Sequence, residues 1–321
     1  MSLFKTKEAG IGITLVILMI VLASMSPVFF TFNNLIELMR NNVVIAILAA
    51  GMTLVIITGG IDVSVAAITA TCTVLVGNFL IHISDSVFLV LIASALLGTL
   101  LGAINGFFVA KIKIPPIVIT LGTMSVFTGF TMYITGGVWI TKIPQSFIDF
   151  GRIKILNIPI QLYFLLVIVI LTWFILKYMN IGRHIYAIGG NVTSSIRSGI
   201  KIERVQMFVY SYVGFLAGIA AVVHTSIMRQ VDPNAFSWVE LQVIAAVVIG
   251  GASILGGVGS VWGSLLGVSL LAVLSNGLTL AHIPSFWHKI IVGTIILLAV
   301  SFDIIKRNRD EDKLAKIDPS L

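Results

Sequence analysis

Two stretches of the sequence, residues 43–82 and 243–281, run for forty and thirty-nine residues with almost no charge. The first contains a single Asp, Glu, Lys or Arg, which is Asp62, and the second contains none. A bilayer core about 30 Å thick is crossed by roughly 20 helical residues, so each stretch is long enough for two crossings. A water-soluble core does not need apolar segments of this length, which indicates that the chain works within a membrane.

The composition agrees, because 58% of the residues are hydrophobic and only 10% are charged. These values lie outside the ranges of soluble globular and disordered proteins. The apolar windows predict an all-α polytopic membrane protein with about ten transmembrane helices, built as one transmembrane domain over residues 1–321. The predicted spans are 10–31, 43–61, 62–82, 86–110, 115–137, 161–180, 207–229, 243–257, 258–281 and 282–305.

The distribution of basic residues predicts the orientation of these spans. With the amino terminus in the cytoplasm, fourteen of the twenty Lys and Arg face the cytoplasm. They lie in the first residues, the 111–113 turn, the 177–204 loop and the tail 306–321. Cytoplasmic loops are enriched in Lys and Arg, so we expect both termini to be cytoplasmic. The net charge of +7 is then a signal of topology, and no nucleic-acid partner is expected.

Two glycine-rich breaks interrupt the apolar runs. Gly59 and Gly60 permit a sharp turn before Asp62, whose carboxylate can cap the following helix. Gly250 and Gly251 open a second break with five glycines in ten residues. Similar sequences precede both breaks, so spans 2–4 form a weak internal repeat with spans 8–10. Transporters often carry such repeats with the pathway at their junction, whereas the alternative is that the glycines only let helices pack closely.

Residues for catalysis are missing from the sequence. It has no His-Glu-x-x-His, no Gly-x-Ser-x-Gly and one cysteine, Cys72, so we expect no enzyme activity, catalytic residue or metal site. It also has no phosphate-binding loop, so no cofactor is expected and any nucleotide must bind to a partner. Polar side chains within the spans, among them Asn105, Thr123 and Asn276, would suit a hydroxylated solute, or could equally hydrogen-bond one helix to another.

The most distinctive loop covers residues 181–206 and is predicted to be cytoplasmic. Gly190 breaks the chain, Asn191 can cap a short helix, and Gly199 can end it. Such a helix would present an apolar edge to the cytosol and could dock another protein, or the segment could be an ordinary loop on the lipid headgroups. The residues expected to take part in docking are Gly189, Gly190, Asn191, Ile196, Arg197 and Gly199.

Three stretches together resemble the permease subunits of bacterial ABC importers for ribose, xylose, rhamnose and related monosaccharides. They are residues 59–65, 187–200 and 245–251, and the resemblance extends over the whole chain. It differs from the usual pattern at Ser194, Ser195 and Ala66, which are small residues in place of other small ones. Residues 113–123, 135–140 and 283–287 resemble most closely the autoinducer-2 import permeases of that family.

The resemblance implies a set of partners and a mechanism. A cytoplasmic ABC ATPase would bind ATP and receive the 191–199 helix, a second permease would complete the pathway, and a periplasmic or lipid-anchored protein would bind the solute. The chain is therefore expected to be a lipid-embedded, multi-pass permease of the bacterial inner membrane that imports autoinducer-2 or a simple sugar such as ribose or rhamnose. Residues 59, 60, 62, 105, 123, 250, 251 and 276 are its candidate pathway or gating positions.

Three other functions compete with ATP-driven import. An ion-coupled secondary carrier for a small neutral solute could use Asp62 as its proton site, although a cap at a helix end also explains that residue. A passive channel would conduct solute with no ATPase present. An intramembrane enzyme is disfavoured because no nucleophile and base are recognisable.

Overall fold

The computed structural model describes residues 7–284 together with 287, 290, 291, 293, 294, 297 and 301. The predicted tail, 306–321, and most of the predicted tenth span, 282–305, lie outside these residues. The helices in chain order are Lys7–Met25 (α1), Phe32–Asn41 (α2), Val43–Ile57 (α3), Val65–His82 (α4), Val87–Phe107 (α5), Pro116–Thr135 (α6), Gln145–Arg152 (α7), Ile160–Tyr178 (α8), Asn180–Gly190 (α9), Val192–Arg197 (α10), Ile202–Met228 (α11), Val239–Ile249 (α12) and Val261–Leu280 (α13).

The remaining regular structure is small. A π-helix, Phe108–Ile112, continues α5, and the strands Lys154–Ile155 (β1) and Ile158–Pro159 (β2) pair antiparallel in a short hairpin. Local sequence explains several helix starts: the hydroxyl oxygens of Thr31 and Ser260 accept hydrogen bonds from backbone N–H groups in the first turns of α2 and α13. Pro116 begins α6, where its missing N–H costs no helical hydrogen bond.

The all-α polytopic architecture is confirmed. Seven described helices are long and apolar enough to cross a membrane, and α2 with α3, which are bent by 49° at their junction, would form an eighth crossing. The window 243–257 differs from its prediction. Its helical part is only the end of α12, whose 11 residues, Val239–Ile249, extend about 16 Å, and the glycine-rich loop follows. The first part of the predicted loop 181–206 is also different from its prediction, because residues 181–190 are helical and belong to α9.

The core of the bundle lies around α3. All but one of its residues are buried, and it packs against α8, α11, α12 and α13. The outer helices α1 and α6 instead expose large apolar side chains such as Ile20 and Val126, as expected for surfaces that face lipid chains. The central position of α3 places the break that follows it, residues 58–64, inside the protein.

Glycines bring α5 and α11 into backbone contact. A Cβ added to Gly98 would lie 2.2 Å from the carbonyl oxygen of Gly214, and one added to Gly214 would lie 2.0 Å from that of Gly98. The hydroxyl of Ser94 donates a hydrogen bond of 2.7 Å to the carbonyl of Gly218 across the same seam. Small residues are the usual means of close helix packing in membranes, and here they hold α11 against α5.

Candidate functional site

The helix α10 forms where its cap and stop signals predict it. Asn191 has an extended backbone, and its Oδ1 accepts a hydrogen bond of 2.8 Å from the N–H of Ser194. At the other end Gly199 has φ +79°, and the N–H of Ile200 donates to the carbonyl of Ser195 at 3.1 Å. This left-handed glycine with a returning hydrogen bond closes the helix. The prediction of a short capped helix is confirmed.

One face of α10 is apolar and exposed. Val192 and Ile196 are 50% and 59% exposed, whereas Ser195 is buried. Ile188, which the sequence pattern placed on the same apolar edge, belongs to α9 and is buried in the core. Arg197 is exposed beside Ile196. The result is a short helix with an apolar surface and a cation, outside the candidate spans.

The two glycine-rich breaks meet the end of α9 at one point, here called the glycine junction and formed by Ile57, Gly59, Gly189, Gly256 and Gly257. The N–H of Gly257 donates a hydrogen bond of 2.8 Å to the carbonyl of Ile57, the last residue of α3. A Cβ added to Gly189 would lie 1.7 Å from that carbonyl oxygen and 2.4 Å from the nitrogen of Gly257. The backbones therefore touch where no side chain fits.

Side chains fasten α9 to the second break as well. The hydroxyl of Tyr186 donates a hydrogen bond of 2.8 Å to the carbonyl of Gly259. Burial, and secondarily the carboxylate of Glu8, raise the pKa of Tyr186, so the phenol stays protonated and remains a donor at neutral pH. Ser260, next in the chain, hydrogen-bonds Glu8 of α1. The end of α9 is thus joined to the end of α3 and to the loop that leads into α13.

Asp62 belongs to a buried polar cluster with Ser64, Asn105 and Tyr210. Its Oδ1 accepts hydrogen bonds from the N–H and the hydroxyl of Ser64, at 2.8 and 2.6 Å, so the predicted capping contact is present. The amide of Asn105 donates to the same hydroxyl at 2.7 Å. Within the described residues, Asp62 Oδ2, Asn105 Oδ1 and the Tyr210 hydroxyl have no hydrogen-bond partner. The cluster is fully buried, and Asp62 lies just before the start of α4, at a span end as expected.

The other predicted pathway positions lie elsewhere. Gly60 packs against Tyr210, and Gly250 packs against the backbone of Gly263 at the start of α13. Gly251 turns the chain with φ +93°. Thr123 donates to carbonyls of its own helix, α6. Asn276 exchanges two amide hydrogen bonds with Asn34, at 3.0 and 3.2 Å, so it joins α13 to α2.

A cavity of about 320 Å³, here called the midspan cavity, lies between α4, α6 and the segment before α12. Met124 and Thr128, at the middle of α6, form one wall, so the cavity lies half-way along a candidate span. Trp238 and Glu240 form another wall, and Trp238 is held at φ +72° with 62% of its surface exposed. The remaining lining residues are Ala66, Ala67, Ala70, Pro233, Asn234, Phe236 and Ser237.

The midspan cavity is uncharged except for Glu240. Its lining combines hydroxyl, amide and carboxylate groups with the indole ring of Trp238 and the methyl groups of three alanines. The surface therefore offers hydrogen bonds and an aromatic face together. In the described part of the chain no three His, Cys, Asp or Glu residues come together. Of the residues that line this cavity, the sequence had singled out Thr128, as one of the polar side chains within the spans that would suit a hydroxylated solute.

Comparisons with known proteins agree on one family. The family described as "Branched-chain amino acid transport system / permease component" matches residues 34–300. The chain is 38% identical to the ribose import permease protein RbsC of Haemophilus influenzae over 91% of each chain. It is 31% identical to the D-allose transport system permease protein AlsC of Escherichia coli, over 92% of this chain and 90% of the relative.

The name of a third relative refers to a different solute. The chain is 32% identical to the autoinducer 2 import system permease protein LsrC of Salmonella typhi, over 97% of this chain and 91% of the relative. No solved structure matches the chain.

Proposed function

The chain belongs to the multi-pass membrane permease family that includes the ribose, D-allose and autoinducer 2 import permeases, and we propose that it imports a neutral, monosaccharide-like solute. It does so as the permease subunit of an ATP-binding-cassette transporter. The family has no enzyme activity. A cytoplasmic ATPase, a second permease subunit and a solute-binding protein outside the membrane complete the transporter. The ATPase binds the ATP, and this chain needs no cofactor.

The observation that carries this proposal is the attachment of α10 to the glycine junction. An exposed apolar helix outside the spans suits docking into an ATPase, and α9, which directly precedes it, contacts the end of α3 and the loop between α12 and α13. Closure of the ATPases on ATP would displace α10, and the backbone contacts at Gly189 would pass the displacement to both glycine-rich breaks. The bundle then exchanges an outward-open for an inward-open arrangement.

The midspan cavity is the proposed solute site. Its volume of about 320 Å³ lies at the lower end of the range of about 300–1,000 Å³ for small-molecule pockets. The Trp238 ring can stack on a sugar ring, and Glu240 and Asn234 can bind its hydroxyls. Within the described residues no Lys or Arg lines the cavity, so it lacks the cation that would hold a phosphate or a carboxylate. Autoinducer-2, ribose and rhamnose are the candidate solutes.

We expect ATP-dependent import of a neutral sugar by the reconstituted transporter. Proteoliposomes with the permease, its ATPase and candidate solute-binding proteins should accumulate labelled ribose, rhamnose or autoinducer-2 only when ATP is supplied. Exchange of Trp238 for Ala should lower the import rate about tenfold, because the stacking surface is lost. Leu156→Ala, in the exposed hairpin between β1 and β2, serves as the control and should leave import unchanged. Uptake of amino acids or phosphorylated sugars, with neutral sugars inert, would contradict the proposal.

Labelling of single cysteines tests the proposed orientation. In a Cys72→Ser background, an impermeant thiol reagent added to intact cells should modify a cysteine placed at Gln145 and spare one at Ser194. Both positions are exposed, so accessibility to the reagent depends on the side of the membrane and not on burial. Inside-out vesicles should reverse the pattern. Modification of position 194 in intact cells would show that α10 faces outward and could not reach a cytoplasmic ATPase.

An ion-coupled secondary carrier is the second candidate, and it is favoured by one observation. Asp62 is fully buried, and its Oδ2 has no partner among the described residues, so this oxygen could take up a proton. Its Oδ1, however, is occupied by the cap on Ser64. The import assay separates the two functions, since a carrier would lose uptake when the proton gradient is collapsed and would not need ATP.

A further inference from the structure

A second and larger cavity has a volume of about 1,200 Å³ and forms a groove. Its walls are the π-helix Phe108–Ile112, the start of α6, the helix α10 and the start of α11. We call it the α5–α11 groove. One candidate span ends beside it, at Ile112, and two others begin beside it, at Pro116 and at Ile202. Span ends lie at the surface of a bilayer, so the groove opens at the level of the lipid headgroups.

Basic side chains dominate the polar lining of the groove. Lys111, Lys113, Lys201 and Arg204 line it, against a single carboxylate, Glu203. The Nζ of Lys111 lies 2.6 Å from Glu203 Oε2, so that ion pair accounts for the carboxylate and one of the cations. The other three cations have no carboxylate within ion-pair distance in the part of the chain that the structure describes.

The rest of the lining is apolar. Ile114, Pro115 and Pro116 stand on one side and Met207 and Phe208 on the other, so the cations share the groove with a hydrocarbon-like surface. The volume exceeds the range of about 300–1,000 Å³ that is usual for small-molecule pockets. The groove therefore fits a large amphipathic ligand with a negative head better than a small ion.

We propose that the α5–α11 groove binds the headgroup of an anionic phospholipid such as phosphatidylglycerol. Lys113, Lys201 and Arg204 pair with the phosphate, and the upper acyl chains cover the prolines and Phe208. Basic pockets between transmembrane helices are a recurrent form of lipid recognition. Because α10 forms one wall of the groove, the bound lipid would also hold the docking helix. The inference does not depend on which solute the protein carries.

Native mass spectrometry of the full-length permease in detergent tests this site. The protein is titrated with phosphatidylglycerol and, separately, with phosphatidylcholine of the same acyl chains. We expect wild type to prefer phosphatidylglycerol by at least about tenfold. Each surface cation is worth about a fivefold change in affinity, so the variant K113Q/K201Q/R204Q should lose the preference, with a roughly 100-fold weaker affinity. Lys111 is left in place to keep its ion pair.

A charge-matched variant controls for net charge. K142Q/K154Q/K177Q removes three exposed cations away from the groove and should keep the preference of wild type. Equal affinity of wild type for both lipids, or equal losses in the two triple variants, would overturn the proposal.

Discussion

The Gly189→Ala variant should lose both stability and coupling to the ATPase. The added methyl group would lie 1.7 Å from the carbonyl oxygen of Ile57 and 2.4 Å from the backbone nitrogen of Gly257. These neighbours are backbone atoms of two different breaks, so they cannot rotate away as a side chain would. Overpacking of a closed core costs about 1–3 kcal/mol, and we expect a value at the upper end here. Solute-stimulated ATP hydrolysis should fall about tenfold or more.

The neighbouring residue is the matched control. Gly190 has no atom within 4 Å of the position that a Cβ would take, and it is the last residue of α9. Gly190→Ala should therefore keep the ATPase stimulation of wild type, and its thermal midpoint should be equal to or above that of wild type, because reduced backbone freedom can add up to about 1 kcal/mol. Both variants are measured by thermal unfolding in detergent and by ATP hydrolysis in proteoliposomes. Equal behaviour of the two variants would remove the mechanical role proposed for the glycine junction.

The sequence predicts α10 well because its signals are local. A cap at Asn191 and a left-handed stop at Gly199 act through hydrogen bonds within a few residues, so each can be recognised in a short window. The apolar windows likewise identify most spans, since hydropathy depends on the residues of one segment alone. Window 243–257 is the exception. Hydropathy does not record that Gly250 and Gly251 end α12 after 11 residues.

Contacts between distant parts of the chain were beyond sequence reasoning. Ile57, Gly189 and Gly257 come from three separate motifs, and nothing in any one motif tells which glycine must touch another backbone. Asn276 is a polar residue within a predicted span, where its side chain could hydrogen-bond either a solute or a neighbouring helix. Its amide pair with Asn34 places it in a helix–helix contact.

The midspan cavity shows a different limit. Trp238 and Glu240 lie between the predicted spans 207–229 and 243–257, yet this segment reaches the middle of α6 because α12 is only half as long as a span. A sequence signal existed, since Pro233 and Trp238 interrupt the chain shortly before an apolar run that ends at Gly250. With that run taken as a full crossing, the residues before it had to be placed at the surface.

The Ile196→Asp variant should abolish docking of the ATPase while the permease stays folded. Ile196 is 59% exposed on α10, so the change removes little buried surface and should alter the free energy of unfolding by less than about 0.5 kcal/mol. A hot-spot residue at the centre of an interface contributes about 2 kcal/mol or more, and its loss weakens binding about 30-fold. We expect at least this loss in the affinity of the purified ATPase for the reconstituted permease, with stimulated ATP hydrolysis lost in parallel.

Two controls give this result its meaning. Leu156→Asp makes the same kind of change at another exposed apolar residue, 86% exposed in the hairpin between β1 and β2, and should leave ATPase binding intact. Ile196 also lines the α5–α11 groove, so the Ile196→Asp variant could lose the ATPase because it has lost a bound lipid. The lipid titration tests this, because a variant that still binds phosphatidylglycerol has lost only the protein contact. ATPase binding of wild-type strength in Ile196→Asp would mean that the exposed face of α10 does not enter the ATPase, and the force on the glycine junction would have to arrive through another surface.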